Sequence, residues 1–101
     1  MAATIAFVAV SCRVVAQDAG GAREGVVTAQ AFCSECHAVQ KGERRLPNGK
    51  SPAFVEIANT PGITATALLV ALTTPHAGMP MFVLTPAQRA GVIAYILSLK
   101  D

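Results

Sequence analysis

The sequence predicts an all-α fold of three to four helices, and three observations carry that prediction. Apolar residues recur at helical spacing in separate stretches, as at Leu68, Leu69 and Leu72. Thr85-Pro86-Ala87-Gln88 combines a capping threonine, a proline in the first turn and a glutamine three residues on, which marks a helix start. Proline- and glycine-bearing turns separate the stretches, and no strand-rich pattern lies between them.

The first helix is expected to begin near Glu24 to Val26 and to use Val26, Ala29, Ala31 and Phe32 as its apolar positions. Residues 17–23 are Gly- and Ala-rich without periodicity and read as a flexible lead-in. Residues 38–52 contain Gly42, Pro47-Asn48-Gly49 and Pro52 and read as a loop. A short helix over 51–58 would have Ser51 as its cap and Pro52 at its first position. Thr64 is the candidate N-cap of a helix running to Thr73. The loop that follows holds Pro75, Gly78 and Pro80 and cannot continue that helix. The last helix starts at Thr85 and runs to about Leu99, with Val92, Ile93, Tyr95 and Ile96 apolar on more than one side.

At 101 residues the chain is one domain. Its 52% hydrophobic content is inflated by the first sixteen residues, an apolar run interrupted by Arg13 and ending Val14-Val15-Ala16. That run is too short to span a bilayer and ends in residues that suit signal-peptidase cleavage, although it lacks a positively charged start. The expected organisation is therefore a signal peptide over 1–16, the lead-in over 17–23 and the folded domain over 24–101. A membrane tether, through an uncleaved run or a lipid on Cys12, is the less favoured arrangement. A net charge of +2 gives no basis for nucleic-acid binding. Lys41, Arg44, Arg45 and Lys50 nonetheless cluster, either as a solvated loop or as a docking patch and counter-charge.

Cys33-Ser34-Glu35-Cys36-His37 carries the chemistry. C-x-x-C-H is the attachment motif of a c-type haem: two thiols add to the porphyrin vinyl groups, and the adjacent histidine reaches the iron. Cysteines three apart on a helical turn share a face, which lets both reach one ring system. A thioredoxin-like dithiol would need a βαβ context, and a zinc site would need four ligands where the rest of the chain offers only His76 and Cys12. A haem also answers the small domain's need for a prosthetic centre. Its attachment is normally completed outside the cytoplasm, so a periplasmic location is expected. The sixth iron position has three candidates downstream: His76, Met79 and Met81. A thioether needs a stiff loop to hold it, and Met79 stands between Gly78 and Pro80. Met81 reads as gap-filling and His76 as a surface or haem-edge residue, with bis-histidine ligation and a lower potential if it bound iron.

His37, then Pro52-Ala53-Phe54, then Met79-Pro80, then Ile93-Ala94-Tyr95 in an apolar last helix together resemble a small bacterial monohaem class I cytochrome c. The resemblance covers about residues 24–100 and implies a compact class I fold wrapped around one covalently bound haem c with its iron. It implies thioethers at Cys33 and Cys36, His37 as proximal and Met79 as distal ligand. It further implies a carbonyl at Pro52 that orients the histidine, with Pro47 as rival, and Phe54 packed on the haem. Gly25, Val92 and Tyr95 match the family's crossing of first and last helices. An aromatic residue one turn before the first cysteine is missing, since Ala29 stands there, and no tryptophan is present.

The resulting expectation is a monomeric periplasmic one-electron carrier rather than an enzyme. Its partners would be redox proteins: a dehydrogenase, reductase or oxidase. The alternatives are a haem c subunit dedicated to a dehydrogenase or oxidase complex, or an open-site haem enzyme or gas-binding protein.

Overall fold

The structure, a computed structural model, describes residues 2–6, 8–9, 15–43 and 45–101. The lipid reading of Cys12, the Arg13 and Val14 part of the cleavage reading and Arg44 of the basic cluster lie outside the described residues. Four helices follow in order: α1 Val15–Phe32, α2 Phe54–Ala58, α3 Ala65–Thr73 and α4 Pro86–Ser98. No strand occurs among the described residues; one isolated bridge pairs His76 with Met79. The fold is thus the all-α arrangement the helical spacing predicts.

α1 and α4 form the main contact, and α2 and α3 pack on α4. The reason lies in two stripes. On α1 the inward positions are Gly25, Thr28 and Ala29, continued by Cys33, at the spacing of one helix face. On α4 they are Gly91, Val92, Tyr95 and Ile96, continued by Leu99. The stripe on α1 is made of small residues, so the two backbones close on each other. Gly91 Cβ, were there one, would lie 2.9 Å from the Gly21 carbonyl oxygen and 3.0 Å from the Gly25 nitrogen. Val92 at the centre is fully buried.

This crossing explains why α1 starts earlier than expected. Residues 17–23, read as a lead-in, lie inside the helix. Glycine weakens a helix interior by about 1 kcal/mol relative to alanine, a local cost that tertiary packing can override. Gly21 is placed against Gly91 by the crossing, and packing supplies what propensity lacks.

α2 also departs from expectation. Its N-cap is Ala53, in extended conformation and without a side-chain cap, not Ser51. Ser51 instead accepts from the Asn48 side chain at 2.9 Å within the preceding turn. The helix begins later because the chain before it is engaged elsewhere: the Phe54 N–H donates to the Ala38 carbonyl at 2.9 Å, and the Pro52 carbonyl faces His37. The other caps form as read. Thr64 Oγ1 accepts from the Ala67 N–H at 3.1 Å. Thr85 and Gln88 close a reciprocal capping box at 3.1 and 2.9 Å.

Candidate haem site

α1 ends by unwinding into the motif. The Cys33 N–H still donates to the Ala29 carbonyl at 2.8 Å, and the His37 N–H donates to Cys33 at 2.9 Å. Cys33 through Cys36 therefore continue the helix as a turn, which leaves His37 one turn beyond the first cysteine. Cys33 is buried against the core while Cys36 is half-buried, and both thiols are free. Burial, with a smaller contribution from the Cys36 charge, pushes the Cys33 thiol above its ordinary value.

The His37 ring is fixed from behind. Its Nδ1 lies 2.7 Å from the Pro52 carbonyl oxygen, which can only accept, so Nδ1 carries the proton. Nε2 is left with its lone pair, the tautomer a metal-bound histidine needs. Pro52, not Pro47, provides that carbonyl. Phe54 flanks the ring at a centroid distance of 5.5 Å and is itself buried, with Tyr95 at 6.3 Å on its other side. The Tyr95 hydroxyl donates to the Val39 carbonyl, so α4 also holds the start of the loop after the motif.

A cavity of about 460 Å³ opens in front of these residues. Cys33, His37 and Phe54 line it together with Leu68, His76 and Met79. Two smaller hollows adjoin it past Cys33 and Met79, reaching Phe32, Pro80 and Phe82. The volume lies in the range of small-molecule and cofactor sites, and the walls are mostly apolar, as such sites are. Its donor set consists of the Cys33 thiol, the His37 and His76 imidazoles and the Met79 thioether, with the Cys36 thiol on an adjoining hollow. That chemistry fits a covalently held iron porphyrin. Lys50, Asn48 and Ser51 give the cavity a polar portion, whereas Lys41 and Arg45 are exposed and do not line it.

Three features escaped the reading of the sequence. Gly91 meets Gly25 at the crossing, but only Gly25 was singled out. Phe82 pairs with Phe32 at 5.6 Å, both partly exposed at the cavity's edge; Phe32 lies one residue before the motif, where an unexplained aromatic could have been the signal. His76 lines the cavity, in keeping with a haem-edge place, but its contact with Met79, Nε2 to Sδ at 2.9 Å, was not foreseen.

Helices packed around an apolar cavity with C-x-x-C-H on one wall define an electron-transfer haem protein of the cytochrome c class. Residues 20–96 match the family described as cytochrome c oxidase, cbb3-type, subunit III, and the chain belongs to that family. The cofactor this implies is haem c, covalently bound, with its iron. Neither the curated proteins nor the solved structures compared with the chain gave a match.

Proposed function

We propose that the chain is an exported one-electron carrier in which His37 and Met79 would be the two protein ligands of the iron. The observation that carries this is the 2.7 Å contact of His37 Nδ1 with the Pro52 carbonyl, on a cavity that Met79 also lines. Bound haem supplies the one-electron couple between ferrous and ferric iron. Cys33 and Cys36 anchor it by two thioethers. Pro52 holds the imidazole in one orientation and raises its basicity. Met79 offers a soft donor from a loop in which Gly78 takes a φ of +78° and Pro80 follows at once, so the loop and not the bond keeps sulfur in place. Phe54, Leu68 and Val92 keep water from the apolar part of the cavity. Lys50 and Asn48 offer charge and hydrogen bonds to propionates at its polar part.

With one ligand from His37 and one from Met79, the iron would keep no position free for a substrate, which favours transport over catalysis. Electrons would pass at the edge where Phe32 and Phe82 meet, with Arg45 and Lys50 aiding a weak and brief encounter with a redox protein. Cleavage after Ala16 would remove only the first residues of α1 and leave the crossing with α4 intact.

The second reading, a subunit held in an oxidase, is favoured by the family's own description. No described helix is long and apolar enough to cross a membrane, so this reading needs association through another chain or through a segment outside that description. Purification from its host, followed by mass and absorption spectra, tests both. A carrier gives a single haem protein whose ferric form shows the weak near-infrared sulfur-to-iron band and whose reduced form resists carbon monoxide. Copurification with a stoichiometric oxidase core would overturn the freely diffusing carrier. Ready carbon monoxide binding would overturn the closed site.

A further inference from the structure

The two histidines of this chain are held in the same way. His37 Nδ1 meets the Pro52 carbonyl at 2.7 Å, and His76 Nδ1 meets the Thr74 carbonyl at 3.1 Å. A carbonyl oxygen only accepts, so in each neutral ring Nδ1 keeps the proton and Nε2 keeps a free lone pair. This is the arrangement found behind metal-bound imidazoles, where a backbone carbonyl fixes tautomer and ring direction. His76 Nε2 faces Met79 Sδ at 2.9 Å. A thioether has no proton to offer and is a weak acceptor, so with the ring proton on the Thr74 side this contact sets two lone-pair donors side by side. Both residues line the cavity that His37 also lines.

The backbone brings the two residues together. His76 and Met79 are the first and last residues of a four-residue turn, closed by the Met79 N–H donating to the His76 carbonyl at 3.3 Å. Gly78 takes the positive φ that the turn requires, and an added Cβ there would meet nothing within 4 Å. The two donors therefore sit at the two ends of one short turn, within reach of the same position.

We propose that His76 is a resident second ligand for the distal iron position, taking it through Nε2 whenever Met79 sulfur is lost from it. The inference builds on the haem site of the proposed function but does not require Met79 to be the resting ligand. The iron then has a high-potential pair, His37 with Met79, and a lower-potential pair, His37 with His76, in the same fold. Neither pair leaves the distal position open to small ligands.

The test uses the holoprotein as wild type, Met79→Ala, His76→Ala and the double variant, each checked for covalent haem by mass. In Met79→Ala the sulfur-to-iron band is lost, yet the iron stays six-coordinate and low-spin with a bis-imidazole resonance spectrum. Its reduction potential falls, and the reduced protein still excludes carbon monoxide. The double variant becomes high-spin and binds carbon monoxide. A Met79→Ala protein already high-spin, and as open to carbon monoxide as the double variant, overturns the proposal. Should Met79→Ala not accumulate, Met79→Leu keeps the volume and is read by the same two outcomes. A wild type without the sulfur band, in which His76→Ala restores it, would overturn Met79 as resting ligand while supporting His76 as a ligand.

Discussion

Gly25 on α1 and Gly91 on α4 stand backbone to backbone. A Cβ placed on Gly25 would collide with the Gly91 carbonyl and come within 2.8 Å of Tyr95 Cβ. Because the obstacle is backbone, no rotamer change relieves it. The crossing also sets where Tyr95 sits, and Tyr95 in turn touches Phe54 and holds Val39. The closeness of two residues without side chains thus reaches the histidine through an aromatic relay.

Gly25→Ala should destabilise the protein by about 3 kcal/mol, the upper range for overpacking a filled interior. Gly21→Ala is its control, since a Cβ there meets nothing within 4 Å and the residue is helical. That change should be neutral or add about 0.4–1 kcal/mol by restricting the unfolded chain. Chemical denaturation of the two variants beside wild type checks the difference in sign.

Phe54→Ala should cost about 3–5 kcal/mol, as expected for removing a buried phenyl ring. The ring is 3% exposed and stands between His37 and Tyr95. The cavity left behind frees the His37 ring to rock. Broadened haem resonances in the variant, alongside a lowered denaturation midpoint, are the outcome to look for.

Tyr95→Phe removes the hydroxyl that donates to Val39 and leaves that carbonyl unpaired, for a loss of about 1–3 kcal/mol. Burial, and then the charge of Glu43, hold the Tyr95 hydroxyl above its ordinary value of 10.0. A raised value means the folded protein keeps a proton that the unfolded chain gives up. The contribution is therefore complete below pH 10.0 and is lost as pH rises through the raised value. Wild type should lose stability more steeply than Tyr95→Phe on the alkaline side, a comparison that titrated denaturation curves supply. Parallel curves for the two proteins would contradict this.

Cys36→Ala should leave a haem held by one thioether, and Cys33→Ala with Cys36→Ala should leave none held through denaturation. Haem staining after denaturing electrophoresis and intact mass distinguish these outcomes. Cys33 is the more buried of the two, so its loss alone should also weaken the core, by about 1 kcal/mol for the small apolar volume removed.

What the sequence disclosed follows from range. The Thr64 cap and the Thr85–Gln88 capping box are contacts over three residues, and local pattern specified both. Ser51 failed as a cap although its local pattern was as good, because Pro52 and Phe54 answer to His37 and Ala38 across the loop. Residues 17–23 looked too glycine-rich for a helix because the reason for Gly21 lies on another helix. At the site, residue chemistry singled out Cys33, His37 and Met79, and the fold brings these three to one cavity. The turn that brings His76 to Met79 was not legible, since both prolines and the glycine announce a loop without saying which side chains it joins.

The paired bonds from Ala38 to Phe54 and from His37 to Pro52 act as a clasp on the intervening segment 39–51. A clasped segment is a place where chain length can vary without moving His37. Its tip, Pro47-Asn48-Gly49, is exposed and organised by its own Asn48 contacts to Lys50 and Ser51. Lengthening a flexible loop costs little, about 0.6 kcal/mol for each doubling. A Gly-Ser pair inserted after Gly49 should therefore leave the haem spectrum unchanged, its cost being that chain entropy together with the loss of the exposed Asn48 contacts to Lys50 and Ser51. The same pair inserted after Pro52 would part the two bonds of the clasp, so that Pro52 and Phe54 could no longer engage His37 and Ala38 together, and the haem spectrum should change. The 39–51 segment can thus be edited independently of the contact that orients His37.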